Sequence, residues 1–196
     1  GPVRTKGRAK SQQTKLNIFN AAAELLSEMD FEQITIRDIV RRANVSVGTF
    51  YNYYATKMEV FYETYQVADH YFNETVSRLL TQPTAAQRVD CFFYHYARYS
   101  SELTDMKMTR LLYNPDNPWF NRDPTGGMVG VLIDVLQDGL DRGEFSGHGA
   151  DAAELADYLM ICVRGLIYNW CTKKGNYDLY GATRKLVGRL MMALRP

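Results

Sequence analysis

The chain has 196 residues, 46% of them apolar, and a formal net charge of +1. That is enough apolar material to bury a sizeable core in one large domain or two small ones. No apolar run reaches the ~18 residues that a membrane span needs, and no apolar segment follows the basic N-terminus as a secretory leader requires, so a cytoplasmic protein is expected.

Gly1-Pro2 reads as a protease scar. Arg4, Lys6, Arg8 and Lys10 then meet no acid before Ser11, which marks residues 3–10 as a basic tail. Residues 1–57 hold nine Lys/Arg against five Asp/Glu (+4), whereas residues 58–196 hold fourteen against seventeen (−3). A basic tail on a weakly basic small domain is consistent with nucleic acid, although taken alone a solubilising disordered segment is the commoner meaning.

Almost everything beyond the tail has helical periodicity, and no long segment alternates with a period of two. The first helix is predicted from about Gln12 to Met29, striped by Leu16, Phe19, Ala23 and Leu26 and widened by Ile18, Ala22 and Leu25. Asp30 to Gln33 breaks it. Thr35 is the N-cap of a short helix carrying Ile36, Ile39, Val40 and Ala43, with Asp38 placed for a capping box. Asn44 ends that helix, because Asn tolerates the left-handed conformation. Val45 plugs the turn, and Ser46 caps a two-turn helix from Val47 to Tyr53.

Thr56 opens a long helix to about Leu80, striped by Phe61, Tyr65, Ala68, Phe72, Val76 and Leu79. Further helices are predicted from Thr84 to about Glu102, Asp105 to Leu112, Met128 to Arg142, Asp151 to about Lys173 and Tyr180 to Leu194. Two breaker clusters, Asn114 to Pro118 and Asp123 to Gly127, separate the third and fourth of the long series.

Two short helices joined by a tight turn rarely pack stably alone. Here a longer amphipathic helix precedes them and another follows, which is the three-helix DNA-binding arrangement with an anchor helix. It needs an apolar plug, a short second helix with exposed polar residues, and caps that leave backbone N–H groups near phosphate. Val45, Thr49 with Asn52, and Ser46 supply these in turn.

The run from Ile34 to Lys57, with Val45-Ser46-Val47-Gly48-Thr49-Phe50-Tyr51 at its centre and Tyr54 and Lys57 at fixed offsets beyond, resembles the TetR family of transcriptional regulators. The match covers about residues 12 to 61. The resemblance implies that Tyr51 and Lys57 hold phosphates, and that Thr35, Ser46 and Thr49 offer hydroxyls or caps to the DNA backbone. It puts Arg37 on a base edge or phosphate and gives Gly48 a close approach of DNA. Val47, Asn52 and Tyr53 would face the groove, and Phe50 and Tyr54 would be core. Three positions depart from the pattern: Asn44 for glycine, Val40 for a small residue, and Tyr53-Tyr54 for His-Phe. Arg41 and Arg42 read as a solvated face.

The remainder is too large to be a mere anchor. Its aromatic residues suggest a small-molecule cavity between helices, with Tyr65, Phe72, Phe92, Tyr96, Trp119, Arg164 and Tyr168 as candidate lining, against ordinary core packing for any one of them. The stretch from Leu159 to Tyr168 is apolar nearly all round, so it is expected to be covered by its own domain on one side and a second copy on the other. The last helix would complete a four-helix dimer interface, as the resemblance also implies. Arg164 interrupts this stretch; a salt bridge to a carboxylate is the commoner arrangement, an anchor for an acidic effector the other.

Cys91, Cys162 and Cys171 form no CxxC pair and read as reduced core residues. Cys91 and His95 share a helix face, but no second pair completes a zinc site, and no catalytic motif is present, so neither metal, cofactor nor enzyme activity is expected. The expected architecture is all-α: a helix-turn-helix domain over residues 3–57, then a helical ligand-binding and dimerisation bundle over 58–196. The expected function is a homodimeric repressor on a palindromic double-stranded DNA operator, released by an apolar or aromatic effector. A helical enzyme or carrier, or a protein-binding scaffold without DNA release, is the alternative.

Overall fold

A helix can rest on an apolar stripe or on good intrinsic helix formers, and α1 (Val3–Glu28) uses both. Its first turns are rich in Arg, Lys, Ala and Gln and carry no stripe, so periodicity alone predicts a start near Gln12; in the structure the helix reaches back to Val3. Further along, the buried face is Ile18, Phe19, Ala21, Ala22, Leu25 and Leu26, while Leu16, expected on the stripe, is left exposed. The computed structural model describes residues 3–121 and 126–196; Gly1-Pro2 and residues 122–125, which include the first three residues of the second breaker cluster, lie outside the described residues.

After a single 3-10 turn (Phe31–Gln33) come α2 (Ile36–Ala43), α3 (Val47–Tyr51) and α4 (Lys57–Tyr71). Ile34, Ile39, Val40, Phe50, Tyr54, Val60 and Phe61 are buried with the inner face of α1. Phe31 meets Phe61 edge to face, ring centres 5.5 Å apart. The chain divides into two compact units, Gly1–Tyr65 and Gln66–Pro196, with the division falling inside α4.

In the second unit, α4 passes into a π-helical turn (Phe72–Val76) and a last α-turn (Ser77–Leu79). Then follow α5 (Ala85–Arg98), a second π-turn (Tyr99–Leu103), α6 (Met106–Leu112), a 3-10 turn (Pro118–Asn121), α7 (Gly127–Asp141), α8 (Ala152–Thr172) and α9 (Leu179–Met192). The described residues contain no strand, and no helix among them is long and apolar enough to cross a membrane.

Helix α5 packs on both α7 and α9, and α8 packs on the same two. Phe72, Val89, Phe92, Phe93, Leu132, Leu136, Val163 and Ile167 form the centre of this bundle. Gly139 lets α7 approach closely, because a Cβ there would collide with the Phe145 ring and come within 2.7 Å of the Ala85 methyl. Asp69 accepts the Met128 N–H at 2.8 Å, closing the start of α7.

Candidate nucleic-acid interface

Side-chain caps hold both short helices. Thr35 Oγ1 accepts the Asp38 N–H at 3.1 Å, and Asp38 Oδ2 accepts the Thr35 N–H at 3.0 Å and its hydroxyl at 2.7 Å. These donors, the hydroxyl foremost, hold the Asp38 carboxyl below its ordinary pKa. Asn44 adopts the left-handed conformation, φ 54° and ψ 48°, as its place in the turn requires. The Val45 N–H reaches back to the Val40 carbonyl at 3.0 Å. Ser46 Oγ then accepts the Thr49 N–H at 3.0 Å and lies 2.8 Å from the Thr49 hydroxyl.

These caps decide which way α3 faces. Phe50 and Tyr54 are buried, their rings 5.7 Å apart, as expected of core residues. The opposite face leaves Ser46, Val47, Gly48, Tyr51 and Asn52 exposed, with Thr49 and Tyr53 half-buried. Thr35 and Arg37 are also exposed, and Arg37 makes no ion pair among the described residues. A Cβ on Gly48 would meet nothing nearer than Ser46 Oγ at 3.8 Å, so this unit's own packing does not require the missing side chain.

Three residues have assignments that sequence reasoning did not supply. Arg42, read as a solvated face, makes a fork on Glu28 at 2.6 and 2.8 Å and clamps α2 to α1. This pair holds the Glu28 carboxyl down and the Arg42 guanidinium up. The Tyr53 hydroxyl lies 3.1 Å from Ser11 Oγ, tying the end of α3 to α1 rather than leaving the ring wholly free for a groove. Lys57, expected on a phosphate, donates to the carbonyls of Phe31 and Ile34 at 2.7 and 3.0 Å, which occupies two of its three N–H donors. Beneath them, Glu63 accepts from Tyr54 at 3.3 Å and pairs with Lys15 at 3.0 Å; burial, with the Glu63 charge, pushes the Tyr54 phenol well above its ordinary pKa.

The candidate ligand residues divide into four groups. Phe72, Phe92 and Tyr96 interlock in the buried core of the second unit, with Phe72 5.1 Å from Phe92 and 6.4 Å from Tyr96. The Tyr96 hydroxyl lies 3.0 Å from that of Tyr113, and burial raises its pKa. Half-buried Arg164 lies 5.3 Å over the Phe120 ring, and its charge is felt at Tyr96. No carboxylate pairs with Arg164 among the described residues, so the expected salt bridge is not formed there. Trp119 is half-buried in the nearby 3-10 turn, its backbone N–H donating to Asn117 Oδ1 at 3.0 Å. Tyr168, in contrast, is 55% exposed on the outer side of α8 and does not join the buried rings. Tyr65 is half-buried and belongs to the first unit.

That outer side is itself apolar. Tyr158, Ile161 and Tyr168 are each more than half exposed, and exposed Gly165 lies in the same row at helical spacing. No group of three or more His, Cys, Asp or Glu residues is arranged to hold a metal among the described residues.

Residues 18–64 match the family model described as bacterial regulatory proteins, tetR family. The chain is 19% identical over 184 residues to the fatty acid metabolism regulator protein of Bacillus subtilis (strain 168), covering 91% of this chain and 94% of that protein. Its fold is similar to that of FadR from Bacillus subtilis in complex with stearoyl-CoA, with a TM-score of 0.70, 18% identity, and coverage of 89% of this chain and 96% of that one. It is also similar to Thermus thermophilus FadR in complex with lauroyl-CoA, with a TM-score of 0.74, 22% identity, and coverage of 90% and 93%. The cap, turn and aromatic pattern of α2 and α3 and the matching family model agree over residues 18–64: this segment is similar to the DNA-binding region of the tetR family of bacterial regulatory proteins, and the fold of the whole chain is similar to that of the FadR structures.

Proposed function

We propose that this protein is a transcriptional regulator, a homodimeric repressor that grips a palindromic operator with two α3 helices and releases it when an acidic, largely apolar molecule enters its second unit. The exposed face of α3 carries the reading: Ser46, Val47, Tyr51 and Asn52 lie open on it, with Gly48 bare although its own fold has room for a methyl group there. Such a face fits a major groove, and a two-fold pair must present its helices ~34–36 Å apart to enter successive grooves. Thr35, Ser46, Thr49 and Tyr51 are assigned to the DNA backbone, Arg37 to a phosphate or base edge, and Val47, Asn52 and Tyr53 to the groove. Lys57 acts first by holding the turn that carries them.

The apolar row Tyr158, Ile161 and Tyr168 on α8 supports the dimer, because an exposed patch of this kind on a bundle helix is ordinarily covered by a partner. For the effector, an acyl-CoA thioester is the first candidate. Two proteins of similar fold carry one, and Arg164 supplies a cation with no carboxylate against it among the described residues, beside the half-buried ring of Phe120 and the buried Tyr96. A gel shift with the DNA upstream of the protein's own gene tests the first claim, and addition of acyl-CoA thioesters of graded chain length tests the second. A specific shift abolished by a thioester is expected. Failure to shift any upstream DNA would favour the scaffold reading, and a shift that no thioester reverses would remove the effector class.

A further inference from the structure

We infer that the cleft between α5 and the start of α9 is a second small-molecule site, one that takes an uncharged aromatic compound bearing a hydroxyl group. The cleft has a volume of about 570 Å³, within the range of small-molecule pockets. None of Phe72, Phe92, Tyr96 or Arg164 lines it, so the inference is independent of the acyl-CoA reading.

Its polar demand is specific. Thr183 is only 2% exposed, yet its hydroxyl has no hydrogen-bond partner among the described residues. The side-chain oxygen of Gln82 is likewise buried and unmatched in the same cleft. Folded proteins rarely leave such atoms unpaired, because each forfeits its hydration without compensation. Gln82 Oε1 can only accept, whereas the Thr183 hydroxyl can donate or accept. A ligand hydroxyl has both capacities: it donates to Gln82 and can accept from Thr183.

The walls select the rest of the molecule. Tyr94 and Tyr180 line the cleft and pack against each other, rings 5.3 Å apart and inclined by 34°, and the Tyr180 hydroxyl is committed to Glu102. What this pair offers the cleft is therefore apolar ring surface, suited to a flat apolar body. At the rim, Arg184 and Asp90 pair at 3.7 Å and cancel each other's charge. Burial raises the pKa of the Cys91 thiol on the same wall and keeps it protonated near neutral pH. The cleft thus offers no net charge for an ionic ligand to match.

The test uses the full chain with β-naphthol, and with its methyl ether as a probe of the same ring system that lacks the donor. Binding is read by fluorescence titration, and its location by the rate at which iodoacetamide alkylates Cys91, resolved by mass spectrometry. β-Naphthol should bind and slow alkylation of Cys91 while Cys162 reacts as before. The ether should bind about tenfold more weakly, the loss expected for one hydrogen bond of ordinary strength. Thr183→Val should weaken β-naphthol and narrow its advantage over the ether, and Thr183→Ser, which keeps the hydroxyl, should preserve it. If the valine variant does not fold, Gln82→Met supplies the same reading from the other polar atom. Equal binding of the two probes, binding that leaves Cys91 unprotected, or no binding up to the solubility limit would each overturn the inference.

Discussion

The Lys57 ammonium lies 4.0 Å from the centre of the Phe31 ring and donates to the carbonyl of the same residue at 2.7 Å. With its second bond to Ile34, it fastens the start of α4 to the turn that precedes α2. Replacing Lys57 with Met keeps much of the stem and removes the charge. We expect a loss of about 2 kcal/mol of stability, the scale of charge-assisted hydrogen bonds with a cation–π contact. Chemical denaturation checks this. An unchanged midpoint would return the residue to a purely DNA-facing role.

Gly48 gives a separation of stability from binding. Alanine at this helical position meets only open space and Ser46, and it should raise stability by about 0.5–1 kcal/mol through helix propensity. Operator affinity should nevertheless fall, because the methyl group would occupy the surface assigned to DNA. A melt and a gel shift on the same preparation decide it; retained affinity would show that the duplex does not come close to this residue.

Tyr51 is 54% exposed and its hydroxyl is assigned to a phosphate. Tyr51→Phe should weaken binding roughly tenfold to specific and random DNA alike, since a phosphate contact carries no base information. The melting temperature should not move. A change in which operator is preferred would reassign the residue to base reading.

Asp38 links the α2 cap to pH. Its folded pKa is depressed by the Thr35 hydroxyl and N–H, so its contribution is present above the unfolded value of ~4 and is lost as pH falls through the folded one. Amide protection across residues 36–43, relative to the intrinsic exchange rate at each pH, should therefore fall on acidification below about pH 4. In Asp38→Asn, the part of this fall due to the cap should disappear. An unaltered acid response would transfer the effect to Glu28, whose pKa the Arg42 fork also lowers.

The dimer proposal rests on α8. Ile161 is 53% exposed and Tyr168 55%, on one side of the helix. Ile161→Asp would bury a carboxylate in the proposed contact while leaving the monomer's own core intact, and should give monomers in analytical ultracentrifugation. Operator affinity should fall with it, because two half-sites are then no longer held together. A variant that remains dimeric would locate the contact elsewhere.

Local signals determined much of the first unit from sequence alone. Thr35, Asn44 and Ser46 act on their immediate neighbours through caps and a left-handed turn, so their roles follow from residue type and spacing within four positions. The burial of Phe50 and Tyr54 is implied by the family resemblance and by the general burial of aromatic rings. The start of α1 was not legible, because a polar helix has propensity but no stripe.

Tertiary structure decided whatever depends on pairing residues distant in the chain. Arg42 finds Glu28 fourteen positions away, Lys57 finds Phe31 twenty-six away, and Tyr53 finds Ser11 forty-two away. Composition supplied the aromatics of the second unit but could not separate the interlocked Phe72, Phe92 and Tyr96 from the outward Tyr168, because a helix covered on two sides has no polar face to mark which side is which. Nor could it bring the unmatched Gln82 Oε1 and Thr183 hydroxyl to one cleft, which forms only once α5 and α9 have packed.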